Sequence, residues 1–211
     1  MSERRIAGQI AELGASFFSR SLTFGRTGNI SAKVAEDRIL LTPTGVSLGA
    51  LDPAALSVID LAGRHVDGAK PSKEAFLHAA VHRSRPSAGA VVHLHSTHAV
   101  AVSCLADVDP ADVLPPLTAY YVMRVGRLPL LPYHAPGDSS LEALAEATAL
   151  DHHSFLVANH GSVVAGADLA AAADAAEELE ETARLFLLLR GHATRPLTHD
   201  QVADLNRRFP A

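Results

Sequence analysis

Short apolar segments joined by tight turns fill the first part of the chain, and they constrain the fold most strongly. Residues 30–34 and 38–41 flank the turn at 36–37, and residues 56–60 follow a further turn at 42–45. Apolar runs of this length between turn residues are typical of strands, and strands joined so closely pair in antiparallel fashion. We therefore expect an antiparallel sheet and not a parallel nucleotide-binding fold.

Helical patterns are interleaved with these strands. Ile6, Ile10, Leu13 and Phe17 recur at helical spacing, which predicts an amphipathic helix over the first twenty residues. Further helices are predicted over 72–84, 97–105, 139–150 and 168–190, and further strands over 90–95, 117–125, 128–133, 155–158 and 161–166. This alternation indicates an α/β sandwich with helices over the faces of a mainly antiparallel sheet.

Length and charge narrow the class of protein. A chain of 211 residues without an evident linker predicts a single domain over residues 1–211. The net charge of -5 comes without a basic stripe, so we expect no nucleic acid partner. The sequence has no apparent signal peptide or membrane-spanning run, which predicts a cytoplasmic protein without a membrane partner. Cys104, the one cysteine, is predicted to pack in the core.

Three histidines indicate a metal site. His93 and His95 are separated by one residue near the end of an apolar strand, so they project from the same face. His160 ends another apolar run and could supply a third nitrogen. Three protein ligands leave one coordination position free, as catalysis at zinc requires. His98 is interpreted as a surface histidine at a helix N-terminus.

Three turns carry small polar groups of the kind that bind phosphate. They lie at residues 28–31, 42–45 and 71–73, and each is rich in hydroxyls, amides and backbone N–H groups. Each turn alone has an ordinary structural interpretation, such as Ser72 acting as an N-cap. Together with the histidines, they predict a site for a phosphorylated substrate.

Other side chains near these motifs are candidates for proton transfer. Glu74 is either a first-turn carboxylate that favours the helix dipole or a general acid/base or labile metal ligand. Tyr120 and Tyr121 lie on a predicted strand, where one faces the core and the other faces solvent or a cleft. A phenol beside a metal could donate a proton to an anionic intermediate. His78 and His82 have no comparable spacing and are interpreted as solvated or packing residues.

Taken together, the motifs closely resemble those of the class II aldolase and adducin head family. The resemblance covers nearly the whole chain and includes residues 28–31, 41–45, 71–78, 90–96 and 159–161. It implies a three-layer αβα sandwich with a central, mainly antiparallel sheet, usually in a homotetramer with sites between subunits. It also implies one Zn²⁺ or similar divalent ion per subunit, bound by His93, His95 and His160.

The resemblance assigns roles to the remaining candidates. Glu74 is the implied acid/base, and the family tyrosine corresponds to Tyr120 or Tyr121, with the spacing to Gly126 favouring Tyr120. The implied phosphate-binding residues are Gly28, Asn29, Thr44, Gly45 and Ser72.

Lys73 departs from the sugar-phosphate aldolases, which generally carry a second serine at this position. With the tyrosine pair, Lys73 looks most like the branch that decarboxylates 3-oxo-tetronate 4-phosphates to dihydroxyacetone phosphate and carbon dioxide. In that reaction the metal stabilises an enediolate, and Lys73 offers a cation to the substrate. The alternatives are a fuculose-phosphate type aldolase, a pentulose-phosphate 4-epimerase, or a non-catalytic interaction domain like the adducin head.

Overall fold

A single eight-stranded sheet forms the centre of the fold. A computed structural model describes residues 2–209. The strands are β1 (Asn29–Ala35), β2 (Arg38–Leu41), β3 (Ser57–Ile59), β4 (His65–Gly68), β5 (Ala90–Leu94), β6 (Leu130–Leu131), β7 (Ser154–Val157) and β8 (Gly161–Gly166). Their order is β4-β3-β2-β1-β5-β8-β7-β6, and every neighbouring pair is antiparallel except β6 and β7. The predicted, mainly antiparallel sheet is confirmed.

Helices lie on both faces of this sheet. They are α1 (Glu3–Ser19), α2 (Ala75–Ser84), α3 (Thr97–Ser103), α4 (Ala119–Arg124), α5 (Glu142–Asp151), α6 (Leu169–Leu189) and α7 (His199–Arg208). The alternating side chains of β5 separate the two cores, because Val92 packs on the side of α1 and α6 while Val91 packs on the side of α2 and α5. The predicted sandwich of helices, sheet and helices is thus confirmed.

Small residues let α6 approach the sheet closely. Its buried face consists largely of alanines, including Ala172, Ala175 and Ala176. A Cβ on Gly166 of β8 would lie 2.3 Å from the backbone nitrogen of Ala172, so the glycine is required for this contact. The helix begins where predicted, since the Asp168 side chain accepts a hydrogen bond from the backbone of Ala171 at 2.8 Å.

The predicted strand over 117–125 is wrong. Residues Ala119–Arg124 form α4, and the Thr118 hydroxyl accepts the backbone N–H of Tyr121 at 3.1 Å as an N-cap. The tyrosines and valines had suggested a strand, but the cap and the packing of Tyr121 and Val122 in the core favour one short helix. The predicted strand over 128–133 is reduced to the two residues of β6.

Two further expectations need correction. Cys104 does not pack in the core but is exposed at the C-terminal end of α3. Helix α7 was not predicted, and it begins with a capping box between Thr198 and Gln201. The single domain over 1–211 includes residues 1, 210 and 211, which lie outside the described residues, and it stays a prediction. None of the helices within 2–209 has both the length and the apolar composition needed to cross a membrane.

Candidate metal centre

Three ends of secondary structure bring the candidate ligands together. His93 lies in β5 and His95 follows its last residue. They share one face of the sheet, as predicted, and this is the face on which α2 packs. His160 lies in the tight turn between β7 and β8, which adjoins β5 in the sheet. Glu74 immediately precedes α2, which packs over the same face. Residues distant in sequence therefore meet at one place.

Four donor groups converge within a few ångströms. His93 Nε2 lies 3.0 Å from His95 Nε2 and 3.3 Å from Glu74 Oε2. His160 Nε2 lies 3.0 Å from Glu74 Oε1. One potential ligand atom from each of these four residues lies within 4.8 Å of those of the other three. His93 is fully buried, Glu74 and His160 are nearly so, and His95 is partly exposed.

The hydrogen bonding of the histidines suits a divalent ion. His93 Nδ1 lies 2.7 Å from the carbonyl oxygen of Ser162, so it donates its proton there and leaves the Nε2 lone pair free for a metal. Nδ1 of His160 is buried without a hydrogen bond, whereas its Nε2 contacts Glu74 Oε1. A buried nitrogen without a hydrogen bond is costly unless a ligand satisfies it. The distances of 3.0 and 3.3 Å between these donor atoms are close to the roughly 3.3 Å that separates two ligand atoms around tetrahedral zinc.

The electrostatics of the cluster are compatible with cation binding. Burial lowers the pKa of His95 to about 3, so its imidazole is neutral near pH 7. Burial also opposes the charged form of His93, but the Glu74 carboxylate outweighs it and raises the pKa of His93. For Glu74 burial acts to raise the pKa, yet His93, His160 and Asn29 hold the pKa below its ordinary value. The carboxylate is therefore ionised and attracts a cation.

The three polar turns also converge beside this cluster. The backbone N–H of Thr44 donates to the carbonyl oxygen of Lys70 at 3.0 Å, and Pro43 and Pro71 form an isolated antiparallel bridge. The Asn29 amide donates to the Ser72 hydroxyl at 3.2 Å. These contacts bring the three turns together, while their predicted role in binding phosphate stays a prediction.

Individual residues of the polar turns differ in what they can offer to a ligand. Gly28 and Gly45 have positive φ angles of 80° and 75°, which favour glycine, and Gly45 faces open space. Ser72 is not the N-cap of α2, because Glu74 occupies that position. Its hydroxyl instead accepts the backbone N–H of Glu74 at 3.3 Å.

The tyrosines and Lys73 lie outside the four-residue cluster. Tyr121 is buried, whereas Tyr120 is 59% exposed on α4 and faces Arg124, whose guanidinium lies 5.2 Å from the ring centre. Lys73 is exposed next to Glu74, and its β-carbon packs against Gly137. His98 does not join the cluster and pairs with Glu180 at 2.7 Å, in agreement with its interpretation as a helix-terminal residue.

Comparisons with known proteins agree with this geometry. The sequence profile of the Class II Aldolase and Adducin N-terminal domain matches residues 8–187. The chain belongs to the class II aldolase and adducin family. The resemblance inferred from the motifs is thereby confirmed.

Two relatives and one solved structure give the degree of similarity. A 3-oxo-tetronate 4-phosphate decarboxylase from Haemophilus influenzae is 48% identical over 199 residues, which cover 94% of this chain and 95% of the relative. An L-fuculose phosphate aldolase from Escherichia coli is 32% identical over 189 residues, covering 89% and 85%. The crystal structure of YgbL from Klebsiella pneumoniae is 43% identical, with a TM-score of 0.94 and coverage of 97% and 99%.

Sequence patterns missed a second group of polar residues in this class II aldolase family member. His78 and His82, interpreted as solvated or packing residues, are buried and hydrogen-bonded to Ser31 of β1. Their spacing of four residues places both on one face of α2, opposite Asn29 and Ser31, which alternate on β1. The signal in the sequence was a pair of polar residues four apart in a helix, together with a pair two apart in a strand.

A substitution at Gly161 should disturb the cluster through the backbone. A Cβ there would lie 2.3 Å from the carbonyl oxygen of Leu94 and 3.2 Å from His95 Cδ2, so the end of β5 must shift. We expect Gly161→Ala to lower the free energy of unfolding by about 1–3 kcal/mol and to weaken metal binding. Urea unfolding of the metal-free protein and metal titration measure the two effects.

Gly8→Ala is the matched control, because a Cβ on Gly8 in α1 meets nothing within 4 Å. It should leave metal binding unchanged and stabilise the helix by about 0.5–1 kcal/mol. Metal affinity in Gly161→Ala equal to that of Gly8→Ala would contradict the close contact at His95.

Proposed function

We propose that this protein is a metal-dependent 3-oxo-tetronate 4-phosphate decarboxylase. The carrying observation is the nearly full-length similarity to a decarboxylase of that name at 48% identity, against 32% to a fuculose phosphate aldolase. Loss of the C1 carboxylate as carbon dioxide leaves an enediolate across C2 and C3, and protonation at C2 gives dihydroxyacetone phosphate. The buried acid and histidines supply groups for this chemistry.

In this proposal His93, His95 and His160 bind one divalent ion per subunit, with zinc the expected metal. Three imidazoles are a common ligand set of catalytic zinc, and the convergence of their donor atoms supports the assignment. When bound, the ion supplies a Lewis acid for the negative charge that develops on the substrate oxygens.

Glu74 is the proposed acid/base. Its carboxylate is ionised and buried beside His93 and His160, at the place where the reacting carbon of a substrate on this site would lie. Because its side chain also lies within ligand distance of the histidines, it can act as a labile ligand before substrate arrives. It would then take up a proton from water and deliver it to C2 once carbon dioxide has left.

The proposed phosphate pocket consists of Gly28, Asn29, Thr44, Gly45 and Ser72. The contacts between these turns support a shared pocket, and the open space at Gly45 leaves room for an anion. The side-chain NH₂ of Asn29 already donates to Ser72 and Glu74. Asn29 therefore serves this pocket chiefly by holding Ser72 and Glu74 in place.

Tyr120 is proposed as a further proton donor, and its exposure sets a condition on that role. The side chain is 59% exposed on α4 and outside the metal cluster of its own chain. In a homotetramer with sites between subunits, an exposed tyrosine can reach the site of a neighbouring copy. We therefore propose that the protein is a homotetramer in which Tyr120 of one subunit acts at the site of a neighbouring subunit. We also propose that the protein is cytoplasmic and binds neither nucleic acid nor membrane.

Direct turnover tests the proposed activity. Purified protein loaded with Zn²⁺ is given synthetic 3-oxo-tetronate 4-phosphates of the erythro and threo series, and carbon dioxide and dihydroxyacetone phosphate are measured. We expect the two products in equal amounts from at least one series. Release of an aldehyde from fuculose 1-phosphate without decarboxylation would favour the aldolase alternative, and epimerisation of a pentulose phosphate would favour the epimerase. Absence of all three activities and of metal binding would favour an adducin-like interaction domain.

Lys73→Ser tests what distinguishes the proposed decarboxylase from the aldolases. Lys73 is exposed beside Glu74, so its ammonium group can reach a substrate carboxylate or phosphate at the entrance. We expect its loss to lower kcat/KM about 10–100-fold, the size of a lost charge-assisted hydrogen bond of roughly 1.5–3 kcal/mol. Steady-state kinetics measures the change.

Lys70→Ser is the matched control, since Lys70 lies on the same turn but is placed outside the assigned site. An unchanged decarboxylation rate in Lys73→Ser would exclude the proposed role of this lysine.

A further inference from the structure

A chain of buried polar side chains runs from the metal cluster into the space between β1 and α2. The Asn29 oxygen contacts His78 Nε2, and His78 Nδ1 lies 2.7 Å from the Ser31 hydroxyl. The same hydroxyl lies 2.9 Å from His82 Nε2, and His82 Nδ1 lies 3.3 Å from the carbonyl oxygen of Ala88. All four side chains are at most 5% exposed. The other side of the Asn29 amide donates to Glu74 Oε2 at 2.8 Å.

This chain is one proton short of satisfying every contact. It has four contacts and ends in a carbonyl oxygen on each side, so it needs four protons. Two neutral imidazoles and one hydroxyl supply three. Burial lowers the pKa of His78 to about 3 and that of His82 to about 4, so neither carries a second proton near neutral pH.

The geometry indicates which contact lacks its proton. The contact between His82 and Ala88, at 3.3 Å, is the longest of the chain. With this contact unprotonated, His82 Nε2 donates to Ser31, Ser31 donates to His78 Nδ1, and His78 Nε2 donates to the Asn29 oxygen. Every donor then points toward Glu74.

The opposite direction creates a conflict at the metal cluster. If His78 carried its proton on Nδ1, its bare Nε2 would face the Asn29 oxygen, and the amide would have to turn around. The turned amide would give up its hydrogen bonds to Ser72 and Glu74 and place its oxygen against Glu74 Oε2. The contacts of the Asn29 amide thus select the Nε2–H tautomer of His78.

We propose that His78, held in its Nε2–H tautomer by Ser31 and His82, is a positioning residue that fixes the Asn29 amide with its NH₂ group toward Glu74. This deepens the proposed function, because it orients the proposed acid/base. Glu74 Oε2 is occupied by Asn29, so the oxygen on the His160 side is the one left for proton transfer. An amide does not readily pass on a proton, so the chain positions Glu74 and does not conduct protons to it.

The tautomer is measured without reference to activity. Full-length protein labelled with ¹⁵N-histidine and loaded with Zn²⁺ is studied near pH 7 by long-range ¹H–¹⁵N correlation, with signals assigned by their loss in His78→Gln and His82→Gln. We expect both imidazoles to be neutral with the proton on Nε2. A proton on Nδ1 of His78, or a doubly protonated His78, would overturn the proposal. Since this measurement needs no substrate, it stands even if the proposed decarboxylase activity is absent.

A pair of variants tests the effect on turnover. His78→Leu keeps the bulk of the side chain but removes the donor, whereas His78→Gln can return an N–H near the Nε2 position. We expect kcat to fall about 10–100-fold in His78→Leu, with metal content retained, and to recover largely in His78→Gln. Equal kcat in two folded, metal-loaded variants would overturn the positioning role. If either variant fails to fold, the tautomer measurement decides.

Discussion

Replacing Glu74 by Gln should lower kcat by about 10²–10⁴-fold, the usual contribution of a positioned acid/base. Gln keeps the size of the side chain and can still accept the amide of Asn29, but it cannot take up and return a proton. The loss should appear in kcat more than in KM, because the group acts on the reacting carbon and not on the phosphate. Steady-state decarboxylation kinetics measures both constants.

Metal content separates the two proposed roles of Glu74. If the three histidines hold the ion, Glu74→Gln should retain about one Zn²⁺ per subunit while losing turnover, as read by elemental analysis of the dialysed protein. The shorter Glu74→Asp retains a carboxylate set further back and should keep part of the activity. Turnover of Glu74→Gln within about tenfold of the unmodified protein would rule out the acid/base role, which typically contributes at least 10²-fold.

Replacing His160 by Ala should abolish stable metal binding. Even partners that only hydrogen-bond to a ligand contribute about 10–100-fold to metal affinity, so removal of a ligand should cost more. Turnover should fall with metal occupancy, by about 10³-fold or more if the ion supplies several kcal/mol of stabilisation. Dialysis against a weak chelator followed by elemental analysis gives the occupancy.

The stability of the His160→Ala protein should differ from that of the unmodified protein chiefly when metal is present. The imidazole of His160 carries a buried Nδ1 without a hydrogen bond, but its Nε2 lies 3.0 Å from the buried carboxylate of Glu74, so the substitution also removes a partner of that charge. Its thermal midpoint without metal should lie at or below that of the unmodified protein. Added Zn²⁺ should then raise the midpoint of the unmodified protein only, because a ligand stabilises only a state that binds it.

His98→Gln is the control for this experiment. His98 belongs to the same histidine-rich segment as His93 and His95 but pairs with Glu180 on α6, outside the cluster. It should keep full metal content and its zinc-dependent rise in midpoint. Retention of metal by His160→Ala at the level of His98→Gln would remove His160 from the ligand set.

The sequence was most informative where local pattern and tertiary environment agree. The hairpin of β1 and β2, the helix α1 and the capped start of α6 were predicted because their periodicity and turn residues act over a few neighbours. Helix α4 was not predicted, because its two tyrosines and Val122 favour strands. Core packing of Tyr121 and the Thr118 cap decide its structure instead.

The candidate site shows the same distinction. His93 and His95 could be placed on one face because alternation along a strand is a local rule. The partners of Asn29 could not be found in this way. Its contacts with Glu74 and His78 depend on the packing of α2 against β1, which no short segment encodes.

The arrangement of the central strands has a consequence for the order of assembly. Asn29 pairs with His93 across β1 and β5, although the hairpin strands β2 to β4 and helix α2 lie between them along the chain. Such non-local pairings close late, after most of the loop entropy has been lost. If the ligands meet only after this closure, zinc should slow unfolding and leave the folding rate nearly unchanged. The metal would then stabilise the completed fold without guiding its formation.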